Sequence, residues 1–295
     1  MTVAEINALK RHRQGFITGA GEAKIYYQSW HPDRSPRAVI VGVHGHGDHS
    51  GGLNNIIQHL LQQGYTWYGL DLRGHGRSSG QRGHLQNWRE YQEDLQAFIT
   101  WIKTQESTAA IFLLGHSLGG LISLEYALQF SRDLNGIVAI SPALRCTKLS
   151  PLWLKIINIF SLVKPKHTIE LQCDYSQLTR DAEIVSILDS DPLRHEKITL
   201  GLGRELLQAG NRVIAQAHYL QVPLLLLYGR NDMVTLADGN RQFFSSVVLA
   251  DKEYHEYPQS LHRPFDDLNR SEVLDHISTW LARKANMQTS TKAIV

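Results

Sequence analysis

The sequence predicts an α/β protein, a mostly parallel sheet covered by helices on both faces and interrupted by one helical insertion. Three observations lead there. Short runs rich in Val, Ile, Leu and Tyr alternate with longer segments of helical period. A glycine-flanked serine joins one of these runs directly to an apolar helix. The alternation then breaks once, between Pro142 and about Ala215, where no clear strand is visible.

Taken in order, strands are expected at Lys24 to Trp30, Arg37 to Val43, Thr66 to Leu70, Ala110 to Leu114, Gly136 to Ile140, Pro223 to Tyr228 and Lys252 to Tyr257. Helices separate them. Trp88, Tyr91, Leu95, Phe98, Ile99 and Ile102 recur at steps of three and four, which gives one apolar stripe to lay on a sheet. Val273, Leu274, Ile277, Trp280 and Leu281 do the same near the end, and from Ala285 the chain turns polar without period and is expected to fray. The break divides the chain into a core of residues 1–142 and 216–295 and an inserted helical cap of residues 143–215. Within the cap, PLWLKIINIFSLVKPK is strongly apolar with lysines on its flanks. Two readings of it stay open: ordinary core packing, or a lid helix whose apolar face lines an acyl-chain site or dips into a lipid surface.

With 295 residues, 42% hydrophobic and 20% charged, there is ample material for one large domain. The 30 basic and 28 acidic residues are spread along the chain for a net charge of +2, which excludes the concentrated basic surface that nucleic-acid binding requires. No apolar run approaches the roughly 20 residues needed to cross a bilayer, so membrane contact is limited to a peripheral one through the cap. The opening MTVAEINALKRHRQGF lacks the apolar centre and small-residue cleavage site of a secretory signal, and a cytoplasmic protein is expected. Cys146 and Cys173, the two cysteines, fit a reduced compartment as unpaired thiols.

The chemistry gathers around Gly115, His116, Ser117, Leu118 and Gly119, the G-x-S-x-G pattern at a strand-to-helix junction. So sharp a turn strains the serine backbone and pushes its hydroxyl out at the carboxyl end of the sheet. His116 reads as a simple neighbour in this turn. A serine hydroxyl is a poor nucleophile near neutral pH, so it needs a base within hydrogen-bond reach and an acid to orient that base. In this architecture they follow in the chain order Ser, Asp or Glu, His. PLLLLYGRNDMV places Asp232 just past one strand, and the QSLHRPF segment places His262 just past the next. Asp238 and Asp251 lie further from a strand end, and His255 sits inside a strand, packed or paired. Two backbone amides must also face the carbonyl oxygen that gains charge during attack. Leu118 supplies one, and His46, in the glycine-rich turn VHGHGDHSGG, supplies the other. The histidines at 44, 46 and 49 invite a metal reading, but the interleaved glycines and the lack of a helical histidine pair speak against it. Neither a metal nor an organic cofactor is expected.

HGHGDHSGG, DLRGHGRSSGQRGHL, GHSLGG, LLLYGRNDMV and the His262 loop, with SPAL, LTRD and DPLRH between them, resemble the monoacylglycerol lipase and lysophospholipase branch of the α/β-hydrolase superfamily over nearly the whole chain. The resemblance implies Ser117 as nucleophile, Asp232 and His262 as its partners, and the amides of His46 and Leu118 as oxyanion donors. It further implies a small lipid ester as substrate, such as a monoacylglycerol or a lysophospholipid. One departure stands out. Where many relatives carry an acidic stretch after the histidine, Arg263, Pro264 and Phe265 follow here, altering the rim of the site. The alternatives are an esterase for small soluble esters, an aminopeptidase of the same fold, and a non-catalytic ligand-binding member of it. Dehalogenases and epoxide hydrolases of this fold use a carboxylate nucleophile, which the serine at 117 contradicts.

Overall fold

Runs such as VIVGV and IFLLGH put apolar side chains on both sides of a strand, and only a sheet covered on both faces accommodates them. A computed structural model of the chain describes residues 11–106, 109–146 and 159–292, with side chains as far as Asn286. Its ten strands are β1 (Arg11–Thr18), β2 (Lys24–His31), β3 (Val39–Val43), β4 (Thr66–Leu70), β5 (Ile111–His116), β6 (Gly136–Ile140), β7 (Thr168–Glu170), β8 (Lys197–Thr199), β9 (Leu224–Gly229) and β10 (Lys252–Tyr257). The helices of the described residues that matter below are α1 (Asn54–Gln62), α2 (Arg89–Gln105), α3 (Leu118–Gln129), α4 (Ala182–Ser190), α5 (Leu200–Gln216), α6 (Ala237–Ser246) and α7 (Arg270–Lys292).

Eight strands form one sheet in the order β1-β2-β4-β3-β5-β6-β9-β10. Pairing is antiparallel for β1 with β2 and β2 with β4, and parallel from β4 through β10. Alternate side chains then feed two cores. Val39, Val41 and Val43 pack with α2, α3 and α5 on one face, where Tyr91, Leu95, Phe98, Ile99 and Ile102 form the stripe read from the sequence. Ile40, Leu114, Ile140 and Leu227 pack on the other face with α1 and with Val273, Ile277, Trp280 and Leu281 of α7.

All seven expected strands are present, within two residues at either end. The structure differs from expectation at three places. β1 precedes the first expected strand, and because it lies on the sheet edge with both faces partly solvated, RHRQGFIT carries no apolar run to announce it. The segment between β6 and β9 holds a two-stranded antiparallel ribbon, β7 with β8, beside its helices. Three-residue strands are too short to show a period. Finally, the chain after Ala285 does not fray at once, since α7 continues to Lys292. Of the apolar segment at 151–166, residues 151–158 lie outside the described residues.

Candidate active site

Because β3, β5, β9 and β10 run parallel, the loops that leave their carboxyl ends share one edge of the sheet. Those loops carry His46, Ser117, Asp232 and His262 respectively. Ser117 sits between β5 and α3 with φ 55° and ψ −119°, a left-handed backbone that costs a non-glycine residue about 1–3 kcal/mol. The strain is sustained by packing. A Cβ on Gly119 would lie 2.2 Å from the Val43 carbonyl oxygen, and one on Gly115 would lie 2.3 Å from that of Gly119. Only glycines let helix and strands close around the serine this tightly.

Asp232 is buried, and its two oxygens are used separately. Oδ1 accepts from the amides of Val234 (2.8 Å) and Thr235 (2.9 Å). Oδ2 accepts from the Thr235 hydroxyl (2.7 Å) and from Nδ1–H of His262 (2.8 Å). Burial alone would raise the carboxyl pKa, but the His262 and Thr235 contacts outweigh it and hold the group below its ordinary value. Asp232 therefore stays ionised and fixes the proton of His262 on Nδ1, leaving Nε2 free to accept. The weaker acid candidates are engaged elsewhere, Asp238 with Arg145 and Asp251 with Lys284. His255 stacks on His276 with ring centroids 3.8 Å apart.

His116 is more than a neighbour of Ser117. Its Nε2 lies 3.1 Å from the His262 carbonyl oxygen, so that nitrogen carries the proton and donates. Burial, then the charges of His262 and Arg263, push its pKa well below the ordinary histidine value, and it remains a neutral donor. The turn that presents Ser117 thereby also holds the loop that carries His262.

Leu118 opens α3, and the first amides of a helix have no intrahelical acceptor. The His46 amide likewise finds no acceptor among the described residues. Ser117, His262, Gly45 and His46 line one cavity of about 320 Å³, which Leu171, Tyr175, Leu178 and Arg194 close from the segment between β6 and β9 and Met233 and Val234 from the loop after β9. A larger, open depression of about 680 Å³ between α2, α3 and α5 is lined by Trp88, Glu125 and Arg212 and holds none of these groups.

Behind the turn after β3, four imidazoles pack against each other. His46 stands 5.2 Å from His75 and 5.6 Å from His195, and His75 stands 4.7 Å from His195, between ring centroids; His44 adjoins His75 at 5.5 Å. Burial, with the neighbouring positive charges, lowers the pKa of His46 to about 3 and that of His195 to about 4, and His44 and His75 are lowered by burial as well. His49 stands apart, paired with Asp191 at 2.8 Å. The folded cluster stays neutral where the unfolded chain, with histidines near about 6.5, takes up protons. Stability is thus complete above about pH 6.5 and is lost as the pH falls from there toward about 4, by at most about 1.4 kcal/mol per pH unit for each histidine. Thermal unfolding between about pH 7.5 and 4.5 should show this decline, and His195→Gln should make it shallower. Equal slopes in the two proteins would contradict it.

A strained serine at the centre of such a sheet, with an Asp-His pair two and three strands along from it, defines the α/β-hydrolase class. Residues 34–269 match the family described as serine aminopeptidase, S33, and the chain belongs to that family. It is 31% identical over 267 residues to a monoacylglycerol lipase of Mycolicibacterium smegmatis, covering 90% of this chain and 95% of that protein. It is 29% identical over 274 residues to a monoglyceride lipase of Rattus norvegicus, covering 91% of this chain and 90% of the other. Among solved structures, a monoacylglycerol lipase of Paleococcus ferrophilus superposes with a TM-score of 0.80 at 30% identity, over 88% of this chain and 99% of that one.

Sequence reasoning missed Thr235 and the part played by His116. For Thr235 a signal existed. An aspartate in a polar turn caps the amides two and three residues on, so the residue at the third position is brought back onto the carboxylate. Nothing local in the sequence pairs His116 with a loop 146 residues away.

Proposed function

We propose that the protein hydrolyses the ester of a single-chain lipid, in the first place a monoacylglycerol, through an acyl-enzyme on Ser117. The observation that carries this reading is the Asp232-His262 pair, 2.8 Å apart, whose histidine opens into the same cavity as the strained serine. His262 Nε2 takes the proton of Ser117 as its oxygen attacks the ester carbonyl, and the amides of His46 and Leu118 meet the charge that develops on the carbonyl oxygen. The proton then passes to the departing glycerol oxygen. Water, deprotonated by the same nitrogen, releases the fatty acid. Asp232 stabilises the imidazolium in both halves.

Support for a lipid comes from the relatives' activities and from the cap, which we assign to residues 143–215. Its described part turns apolar side chains outward, with Phe160 56%, Leu162 70% and Val163 74% exposed just after the undescribed stretch. No described helix is long and apolar enough to cross a membrane. Side chains of this kind suit peripheral contact with a lipid surface, which brings the cavity to its substrate. Replacing Leu162 and Val163 together by serine should lower the rate on monoacylglycerol in vesicles about tenfold, because each buried aliphatic side chain contributes about 1.5–3 kcal/mol in full contact and less at an interface. Hydrolysis of a short soluble ester should be unchanged by the same substitutions.

The test of the function is a comparison of kcat/KM on monoacylglycerols, lysophospholipids, short soluble esters and aminoacyl amides. Monoacylglycerols are expected to be the best substrates. Faster release of amino acids from aminoacyl amides would replace this reading with the peptidase one that the family's description carries.

A further inference from the structure

Arg263, which stands where many relatives carry an acidic residue, lines the cavity yet is only 1% exposed. Its Nη1 donates to Asp48 Oδ2 at 2.8 Å, its Nε to Asp266 Oδ2 at 2.7 Å, and its Nη2 to the Gly52 carbonyl oxygen. The amide of Arg263 donates to the Leu178 carbonyl oxygen, 2.8 Å away in the inserted segment. On its other side Asp48, fully buried, has Oδ1 at 2.6 Å from Nη1 of Arg194, an ion pair by distance without the alignment of a hydrogen bond. Arg194 belongs to the cap and lines the cavity. One carboxylate is therefore shared by three loops. Asp48 follows the oxyanion donor His46 by two residues, Arg263 follows the base His262 directly, and Arg194 comes from the segment that closes the pocket.

We infer that Asp48 and Arg263 are positioning residues, which lock the base loop to the oxyanion turn so that His262 and the His46 amide are held in register about Ser117. The inference rests on the proposed roles of those residues. Both residues line the cavity, but their side-chain hydrogen bonds and ion pairs run to each other and to His49, Gly52, Asp266 and Arg194 rather than to Ser117. The effect of the pair is geometric, and a displacement of about 1 Å at a reacting centre costs on the order of a hundredfold in rate. The charge count supports a designed tie: two buried guanidiniums face two buried carboxylates, Asp48 and Asp266, and a lone member of such a set would be strongly unfavourable. The planar fork of Arg263 meets three acceptors in two loops at once, which an ammonium group cannot do.

The experiment compares wild type, Arg263→Lys, Arg263→Gln and Asp48→Asn, each counted by the amount of Ser117 that a fluorophosphonate labels at saturation, so that unfolded protein does not enter. Per labelled site, Arg263→Gln should lose about 30- to 100-fold in kcat and in the rate constant of labelling, with KM within about threefold of wild type. Arg263→Lys should fall between the two. If Asp48→Asn folds, its loss should not add to that of Arg263→Gln in the double variant, since the two act through one contact. Variants that merely melt earlier, with wild-type kcat and labelling rate per site at a temperature well below their Tm, would overturn the inference. So would a loss confined to KM. Failure of wild-type Ser117 to label is a different outcome, which would overturn the proposed function itself.

Discussion

Ser117→Ala is expected to lower kcat on any ester by about 10⁴- to 10⁶-fold while leaving Tm the same or higher. Activity falls because the covalent intermediate has no oxygen to form on, and what survives is the contribution of the oxyanion amides to direct attack by water. Stability does not fall with it, because the serine side chain is not what holds the turn. Its backbone at φ 55° is fixed by Gly115, Gly119 and the surrounding carbonyls, and alanine inherits the same cost. Steady-state kinetics and a thermal melt on the same preparation check both halves. A variant that kept a tenth of wild-type activity would move the nucleophile away from residue 117.

Asp232→Asn is expected to cost about 10⁴-fold in kcat near neutral pH, through the tautomer of His262 rather than through any loss of packing. The hydrogen bonds around the carboxylate dictate the orientation of the new amide. The oxygen of asparagine must occupy the Oδ1 position, where the amides of Val234 and Thr235 both donate. Its NH₂ group then falls at the Oδ2 position and donates toward His262 Nδ1. The histidine proton is driven to Nε2, and the proposed base can no longer accept. The Thr235 hydroxyl loses its carboxylate acceptor but keeps the Ser141 carbonyl at 3.1 Å. The fold should survive with only a modest change in Tm. Rates within tenfold of wild type would mean that Asp232 does not orient the base.

The parts of the molecule that could be read from the sequence are those whose signal is local. β3, β5, β6 and β9 are continuous buried runs, and α2 and α7 carry their apolar stripes at helical spacing. Ser117, Asp232 and His262 could be proposed together because each stands just past a strand, and parallel strands deliver such positions to one edge. β1 was not found because an edge strand with solvated faces has no need of an apolar pattern. The three acceptors of Arg263 were beyond reach for another reason. Asp48 and Arg263 are 215 positions apart, and an arginine after a histidine reads as a surface charge until the loop it is buried under is known. The same holds for His116, whose use of its ring nitrogen depends on a carbonyl supplied from the far end of the chain.

The separation of these partners has a consequence for the protein while it is being made. Ser117, the proposed nucleophile, leaves the ribosome next to His116, but His262, the proposed base, whose carbonyl His116 grips, lies 146 positions after His116. At the usual pace of about 5–20 residues per second, this interval lasts roughly 7 to 30 seconds. Throughout it the growing chain presents a serine with neither a proton acceptor nor a finished pocket. On the proposed mechanism, esterolysis waits until the last quarter of the chain has docked, and the unfinished protein is expected to be inert toward esters.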